Sequence, residues 1–287
     1  MLAFSLTLPT TQVVVRQLSP TFAMSGRGVV AALLAAGYLL FWRASLPDRS
    51  LLPALLVVAA GAVVGFPLFT SLALRSTDSA HGAVIVGLLP ATTAMMGVLR
   101  TGERPSKAFW IACGAGAVTV AAFAVVRGAG VPTPADGLTV LAVLSAAVAY
   151  AEGARLAPML GADRVICWAL LLSLPVVLPL VVVDAARSWP STDAAGWACF
   201  AYTAVFSMLL GFFAWYRGLA LGGVAKVSQV QLAQPLLTVG ASVVLFGQHL
   251  DPAVLVAALA VLVCVASAQR TRVRPRAPAT PPCPAAA

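Results

Sequence analysis

Between Ala80 and Gly102 the chain carries a pattern that returns 145 positions later without a gap. Ala80, Pro90, Thr93, Val98 and Gly102 recur as Ala225, Pro235, Thr238, Val243 and Gly247. The match continues through Ala108/Ala253, Ala112/Ala257, Ala115/Ala260, Val118/Val263 and Val120/Val265. Alanine and valine matches weigh little in so apolar a chain. The shared proline and glycine weigh more, because each fixes a backbone event at one depth of a helix. The chain therefore reads as two copies of one unit.

Those copies lie in apolar runs. Hydrophobic residues make up 61% of the chain and charged ones 9%, and the mean hydropathy is +0.97. A soluble domain is excluded. A spanning helix needs about 20 apolar residues, and runs of that length fill most of positions 1–268. Ten spans are predicted, at 1–17, 20–42, 51–73, 79–99, 107–126, 137–158, 164–184, 194–217, 225–246 and 252–269. A membrane β-barrel is excluded, since it needs short alternating segments. The expected fold is an all-α integral membrane protein. Residues 1–128 form a first five-helix unit and 136–269 a second, and 270–287 form a basic, proline-rich tail. Five spans per unit is an odd number, so the two units must lie in opposite senses across the bilayer.

Charge sets the orientation. Arg43, Arg49, Arg100, Arg104, Lys107, Arg155, Arg164, Arg217, Lys226, Arg270, Arg272, Arg274 and Arg276 fall on one side, thirteen in all. The other side has four: Arg16, Arg75, Arg127 and Arg187. Positive charge marks the inner face, so both termini are expected in the cytoplasm of a cell, with the chain multi-pass in the inner or plasma membrane. Trp42, Trp110 and Trp168 then fall near inner ends, and Trp189 and Trp197 near an outer one, as an aromatic belt requires. The net charge of +9 follows from this loop distribution and needs no nucleic acid as partner. Cys113, Cys167, Cys199 and Cys264 lie singly in apolar runs and Cys283 in the tail, without metal-ligand spacing. No metal and no cofactor is expected.

The ends differ from the middle. Met1 leads straight into apolar residues, with no basic region or cleavage site, so no signal peptide is expected. Pro9 stands beside Thr7, Thr10 and Thr11, so either the first helix is short and kinked or the true start lies upstream. After Arg270 the tail runs into Pro275, Pro278, Pro281, Pro282 and Pro284 and should be disordered, its charges resting on anionic lipid headgroups.

A family resemblance rests on particular residues. Ala73-Leu74-Arg75, a short polar turn, Ala80, Pro90 and Gly102-Glu103-Arg104 resemble the EamA-type permeases of the drug/metabolite transporter superfamily. The second half repeats the pattern in Gly218-Leu219-Ala220, Ala225, Pro235 and Gly247-Gln248, and Arg27 resembles the family's arginine early in the second span. Two departures stand out. Phe4-Ser5 replaces a tryptophan–glycine pair, and Gln248 stands where the family often has Glu. The resemblance covers about residues 1–268. It implies ten helices in two inverted five-helix repeats, a central cavity, and carrier-mediated movement of small metabolites, with export as the direction. A bacterial source fits such a chain, and a homodimer is compatible with it.

Candidate site residues come from polar groups inside spans. In the ninth run Ser228, Gln231, Gln234, Thr238 and Ser242 share one helical face. That stripe cannot face lipid. It either packs between helices or lines a wet cavity, whose polar wall would be Gln231, Gln234 and Thr238. Lys226, beside it, either joins the cavity or snorkels to the inner surface. Arg27, about 10 Å below the outer end of its run, either attracts an anionic group or snorkels outward. Ser5, Thr7, Thr10 and Gln12 would complete a pocket wall, and Tyr150 lies close to Glu152.

Coupling candidates are the few titratable groups in or near spans. Glu152 and Arg155 are one turn apart, so Glu152 is either a proton carrier or half of a structural ion pair. His81 with Asp78 one turn earlier is either a gate or proton-coupling element or a helix-capping pair. Ala83, Gly87, Ala91, Ala94 and Val98 form a small-residue stripe suited to helix packing.

Enzyme chemistry needs a nucleophile–base pair, paired acids or metal ligands at one depth. The only histidines are His81 and His249, both near helix ends, and no such cluster occurs. No Gly-rich loop ends in Gly-Lys-Ser or Gly-Lys-Thr, so ATP is not the direct driver. The expectation is a secondary transporter of small organic solutes, with the bilayer and a small-molecule substrate as partners. The alternative is a membrane scaffold or sensor that moves nothing.

Overall fold

The computed structural model describes residues 1–101, 107, 108, 110, 111, 114–116, 118, 119, 122, 132–222, 227, 231, 233–247 and 252–270. Most of the fifth apolar run, Lys226, Ser228, Gln229, Gln248, His249 and the tail after Arg270 lie outside these residues. Among the described residues every regular element is helical. A single turn, Leu2–Ser5, leads into α1 (Thr7–Gln17). Among the described residues six helices are long and apolar enough to cross a membrane: α2 (Pro20–Phe41), α3 (Arg49–Ala73), α4 (Ser79–Gly97), α5 (Pro134–Leu160), α6 (Ala162–Arg187) and α7 (Ala194–Leu221). Two further apolar helices follow, α8 (Gln234–Phe246), within the ninth apolar run, and α9 (Pro252–Arg270).

Local chemistry explains where the helices begin and end. Ser19 caps α2 by accepting the Phe22 amide at 2.9 Å, with Pro20 in the first turn, where its missing N–H costs nothing. Thr133 and Asp136 cap α5 reciprocally: the Thr133 hydroxyl accepts the Asp136 amide, and the Asp136 carboxylate accepts the Thr133 amide. Asp193 caps α7 by accepting the Gly196 amide at 2.7 Å, and this bond holds its carboxyl below the usual carboxylate range. The repeated glycine Gly247 ends α8 with φ 61°, left-handed backbone that a side chain would strain.

The first helix breaks at Leu6, between the opening turn and α1. Pro9 is the cause, because it has no N–H to give the carbonyl of Ser5. Two other helices depart from α geometry at matching places. Ala59–Gly65 in α3 and Thr203–Leu210 in α7 wind as π-helix, and a shift of 145 lays the first inside the second. In α3 the reason is again a proline: Pro67 leaves the carbonyl of Val63 without an α-helical donor.

Packing follows the small residues. A β-carbon at Gly87 of α4 would come within 2.9 Å of Val261 in α9 and 3.3 Å of Pro235 in α8. Eight residues earlier, Ser79 Oγ lies 2.9 Å from Ser242 Oγ at the other end of α8. The sequence-matched helices α4 and α8 therefore run antiparallel against each other. Their shared threonines, Thr93 and Thr238, are both buried. Leu33, Val182, Val244 and Val256 remain exposed on the outside of the bundle. In water that surface would be a large apolar patch; in a bilayer it is the lipid-facing coat.

Candidate functional site

The two π-helical turns face a common pocket. Ala62 of the first and Ser207 of the second line it, as do Pro67 and Phe212 just beyond, and each pair is separated by the same 145 positions. Thr7, Arg27, Tyr150 and Gln234 supply most of the remaining polar wall, and Phe4, Phe66 and Met208 the apolar one. In this conformation the enclosed space is about 20 Å³, enough for roughly one water molecule. A second cavity, of about 320 Å³, lies beside it among Met1, Trp215 and Val227. Phe4 lines both, and its ring stands edge-on to Phe212 with centroids 5.4 Å apart. Tyr150 completes the aromatic wall, 5.8 Å from Phe212 and 5.6 Å from Trp215.

Arg27 is the pocket's dominant charge. It is 2% exposed, so it does not snorkel outward. Among the described residues its Nε has no hydrogen-bond partner, and Nη1 reaches only Thr11 Oγ1, at 3.4 Å. Insertion scales put an arginine at the centre of a span at about 2.5–3.5 kcal/mol. A cation held there without a described counter-ion is a functional feature by default.

The polar face of α8 divides its work. Gln234 lines the pocket. Thr238 donates to the carbonyl of Ser5 at 2.9 Å, and Ser242 meets Ser79, so these two serve helix packing in this conformation. Gln231 is buried outside the pocket lining, with both amide atoms unpartnered among the described residues. The Ser5 hydroxyl turns back to the carbonyl of Met1, and what Ser5 gives the interior is its carbonyl. Thr7 shares a 2.7 Å hydrogen bond with Ser207 across the pocket wall.

The coupling candidates sit at the two ends of the bundle. His81 Nε2 lies 2.6 Å from Asp136 Oδ1, which joins α4 to the first turn of α5. The expected partner, Asp78, makes no side-chain cap for α4 and instead accepts the Gln12 amide at 3.0 Å. Gln12 also accepts the Ser79 amide, so α1 and α4 are tied at this end. The Ser19 hydroxyl donates to Asp184 and Gln17 accepts from Thr192 and Asp193, binding α2 to α6 and α1 to α7 there. At the opposite end Tyr38 donates to Asp163 at 2.5 Å, between α2 and α6. Glu152 is buried, and its Oε1 accepts Arg155 Nε at 2.9 Å and Nη2 at 2.5 Å, while Arg155 is half exposed.

Comparison with known proteins gives the family. The model of the EamA-like transporter family matches residues 1–126 and again residues 133–268. This chain belongs to the EamA-like transporter family. It is a multi-pass membrane protein that works as a transporter and not as an enzyme. A Bacillus subtilis protein named uncharacterized transporter YdeK is 44% identical over 269 residues, covering 94% of each chain. A crystal structure of a protein with 18% sequence identity superposes with a TM-score of 0.59, over 94% of this chain and 97% of that one, which shows likeness of fold.

Phe66, Met208, Phe212 and Ser207 line the pocket without having been singled out in the sequence, and Phe4 was marked only as a departure from the family pattern. Pro67, which breaks the α-helical ladder of an apolar run, was the signal available for the first π turn. Applying the 145-residue repeat to Pro67 leads to Phe212, and applying it to Ala62 in that turn leads to Ser207.

Proposed function

We propose that this EamA-like protein is a secondary carrier that exports small organic solutes by alternating access. Its machinery would be ten spans in two inverted five-helix repeats, 1–128 and 136–269, rocking about the pocket. The observation that carries this reading is the pocket wall itself, built from matched positions of the two halves: Ala62 with Ser207, Pro67 with Phe212. A solute held there touches both repeats at once, so a relative rotation can expose it to either face. The antiparallel contact of α4 with α8 supports the inversion, and the two family matches support the duplication.

The thirteen-to-four charge bias supports cytoplasmic termini, and the Bacillus relative supports a bacterial cell membrane. On that orientation the polar ties around Gln12, His81 and Asp184 close the outer end in this conformation. The larger cavity beyond Phe4 lies among Met1, Trp215 and Val227, residues that this orientation puts toward the inner end. Coupling to protons through Glu152, with Asp78 and His81 as the next candidates, would drive uphill movement. Export is the direction the family resemblance implies.

Purified protein in liposomes, screened against labelled amino acids, cationic drugs and nucleosides, tests the reading. Counterflow of at least one solute above protein-free liposomes is expected. An inert protein across the panel would favour a scaffold or sensor. A C-terminal reporter active only outside the cytoplasm would overturn the orientation.

A further inference from the structure

The pocket holds three polar groups that the rest of the described chain leaves wholly or largely unused. Arg27 has an unpartnered Nε and pairs with no described carboxylate. The Tyr150 hydroxyl and the Gln234 side-chain amide make no hydrogen bond among the described residues, although both residues are at least nine-tenths buried. A structural arginine in a span is held by acids or backbone carbonyls, and this one is held by neither. All three groups can donate, and a guanidinium can only donate. They line one small space with the aromatic faces of Phe4, Phe66 and Phe212.

We infer that the pocket selects a small organic carboxylate, its anion taken by Arg27 with Tyr150 and Gln234 as further donors and its apolar body against Phe4, Phe66 and Phe212. This assignment rests on the carrier reading above and names its substrate class. The charge balance decides among alternatives. Among the described residues no carboxylate lines the pocket, so an organic cation would meet Arg27 with nothing there to offset the repulsion. A phosphate monoester brings close to two negative charges, and Arg27 offsets only one of them. A carboxylate leaves a neutral pair, with a fork geometry that guanidinium matches in two parallel hydrogen bonds. A neutral solute would leave the buried cation uncompensated through the whole transport cycle.

Matched pairs of probes test this in the purified full-length chain: benzoate with benzamide, and butyrate with butyramide. Each pair keeps the apolar body and removes the charge. Binding is read by titration calorimetry, and exchange of labelled benzoate is read in liposomes. The wild-type protein should bind the carboxylate of at least one pair tenfold or more tightly than its amide. R27Q should lose that preference, R27K should keep part of it, and Y150F should reduce it several-fold. Should R27Q fail to fold, R27K and Y150F still decide the matter. Equal affinity for acid and amide in both pairs overturns the assignment, as does a preference unchanged in R27Q or, without it, in Y150F. The carrier reading fails separately. Carboxylate-selective binding without any flux would sink transport and leave the site standing, whereas flux of neutral solutes with no acid preference would do the reverse.

Discussion

Thr238 donates its hydroxyl to the backbone carbonyl of Ser5 over 2.9 Å, and that carbonyl is the one Pro9 leaves without a helical donor. A break in the first helix is thus repaired by α8, a helix from the far end of the chain. The bond ties the amino-terminal turn to the helix whose Gln234 lines the pocket.

The relationship predicts a specific coupling. Thr238→Val strands a buried carbonyl and should lower stability by about 1 kcal/mol. Pro9→Ala restores an N–H that can serve Ser5 from within its own helix. Thr238→Val should therefore cost less in the Pro9→Ala background, as read by thermal midpoints of the detergent-solubilised protein. Strictly additive effects would show that the two residues do not share that carbonyl.

Ser79 and Ser242 place their hydroxyl oxygens 2.9 Å apart, where α4 and α8 meet beside the tied end of the bundle. Cysteines at both positions should oxidise to a disulfide with little backbone movement. If α4 and α8 separate at this end during transport, the cross-linked protein should retain less than a tenth of its flux and recover it on reduction. Each single cysteine variant should be insensitive to oxidant. A disulfide that forms fully and leaves flux intact would mean that α4 and α8 travel together.

Much of this arrangement could be read from the sequence, and the limits have physical causes. The repeat was visible because proline and glycine act on the backbone wherever they stand; Gly247 does end α8, and Pro235 does open it. The burial of the α8 stripe was foreseeable because hydrocarbon offers polar groups no partner, whereas the sequence left Arg27 open between an inward role and snorkelling outward. The partners themselves were not foreseeable. His81 meets Asp136, 55 positions on, and Asp78 meets Gln12, 66 positions back, through helix crossings that no spacing along one helix reveals. The aromatic wall was hidden for another reason. In a chain that is 61% hydrophobic, Phe66 facing a pocket looks like any phenylalanine facing lipid.

Two glycines of α5 should respond oppositely to alanine. Gly153 lies directly on the ring of Tyr216, a fully buried side chain whose hydroxyl donates to the carbonyl of Ala149 at 3.2 Å. An added methyl there must displace that ring, at a cost of about 1–3 kcal/mol. At Gly137, exposed near the start of α5, an added methyl meets nothing within 4 Å. Gly137→Ala should be neutral or stabilise by up to about 1 kcal/mol through helix propensity. Thermal midpoints would order the proteins G137A, wild type, G153A, and a G153A variant as stable as wild type would contradict the packing of α5 on α7.

Glu152 is the remaining buried acid of α5 that faces a cation, and its role is open to a direct test. Its Oε1 accepts two bonds from Arg155, which is itself half exposed, so the pair joins the interior to the bundle surface. Glu152→Gln removes the charge and nearly keeps the shape. If the carboxylate carries the coupling proton, the variant should still exchange substrate between the two sides of a liposome. It should lose accumulation driven by a pH gradient, because a glutamine cannot take up and release the proton. Exchange and accumulation measured in the same preparation separate these outcomes. A variant that accumulates substrate as well as wild type would make Glu152 structural and move the search to Asp78 and His81. A variant that fails to fold would point to the pairing instead, and exchanging the two residues, Glu152→Arg with Arg155→Glu, should then restore folding, since the attraction between them is kept.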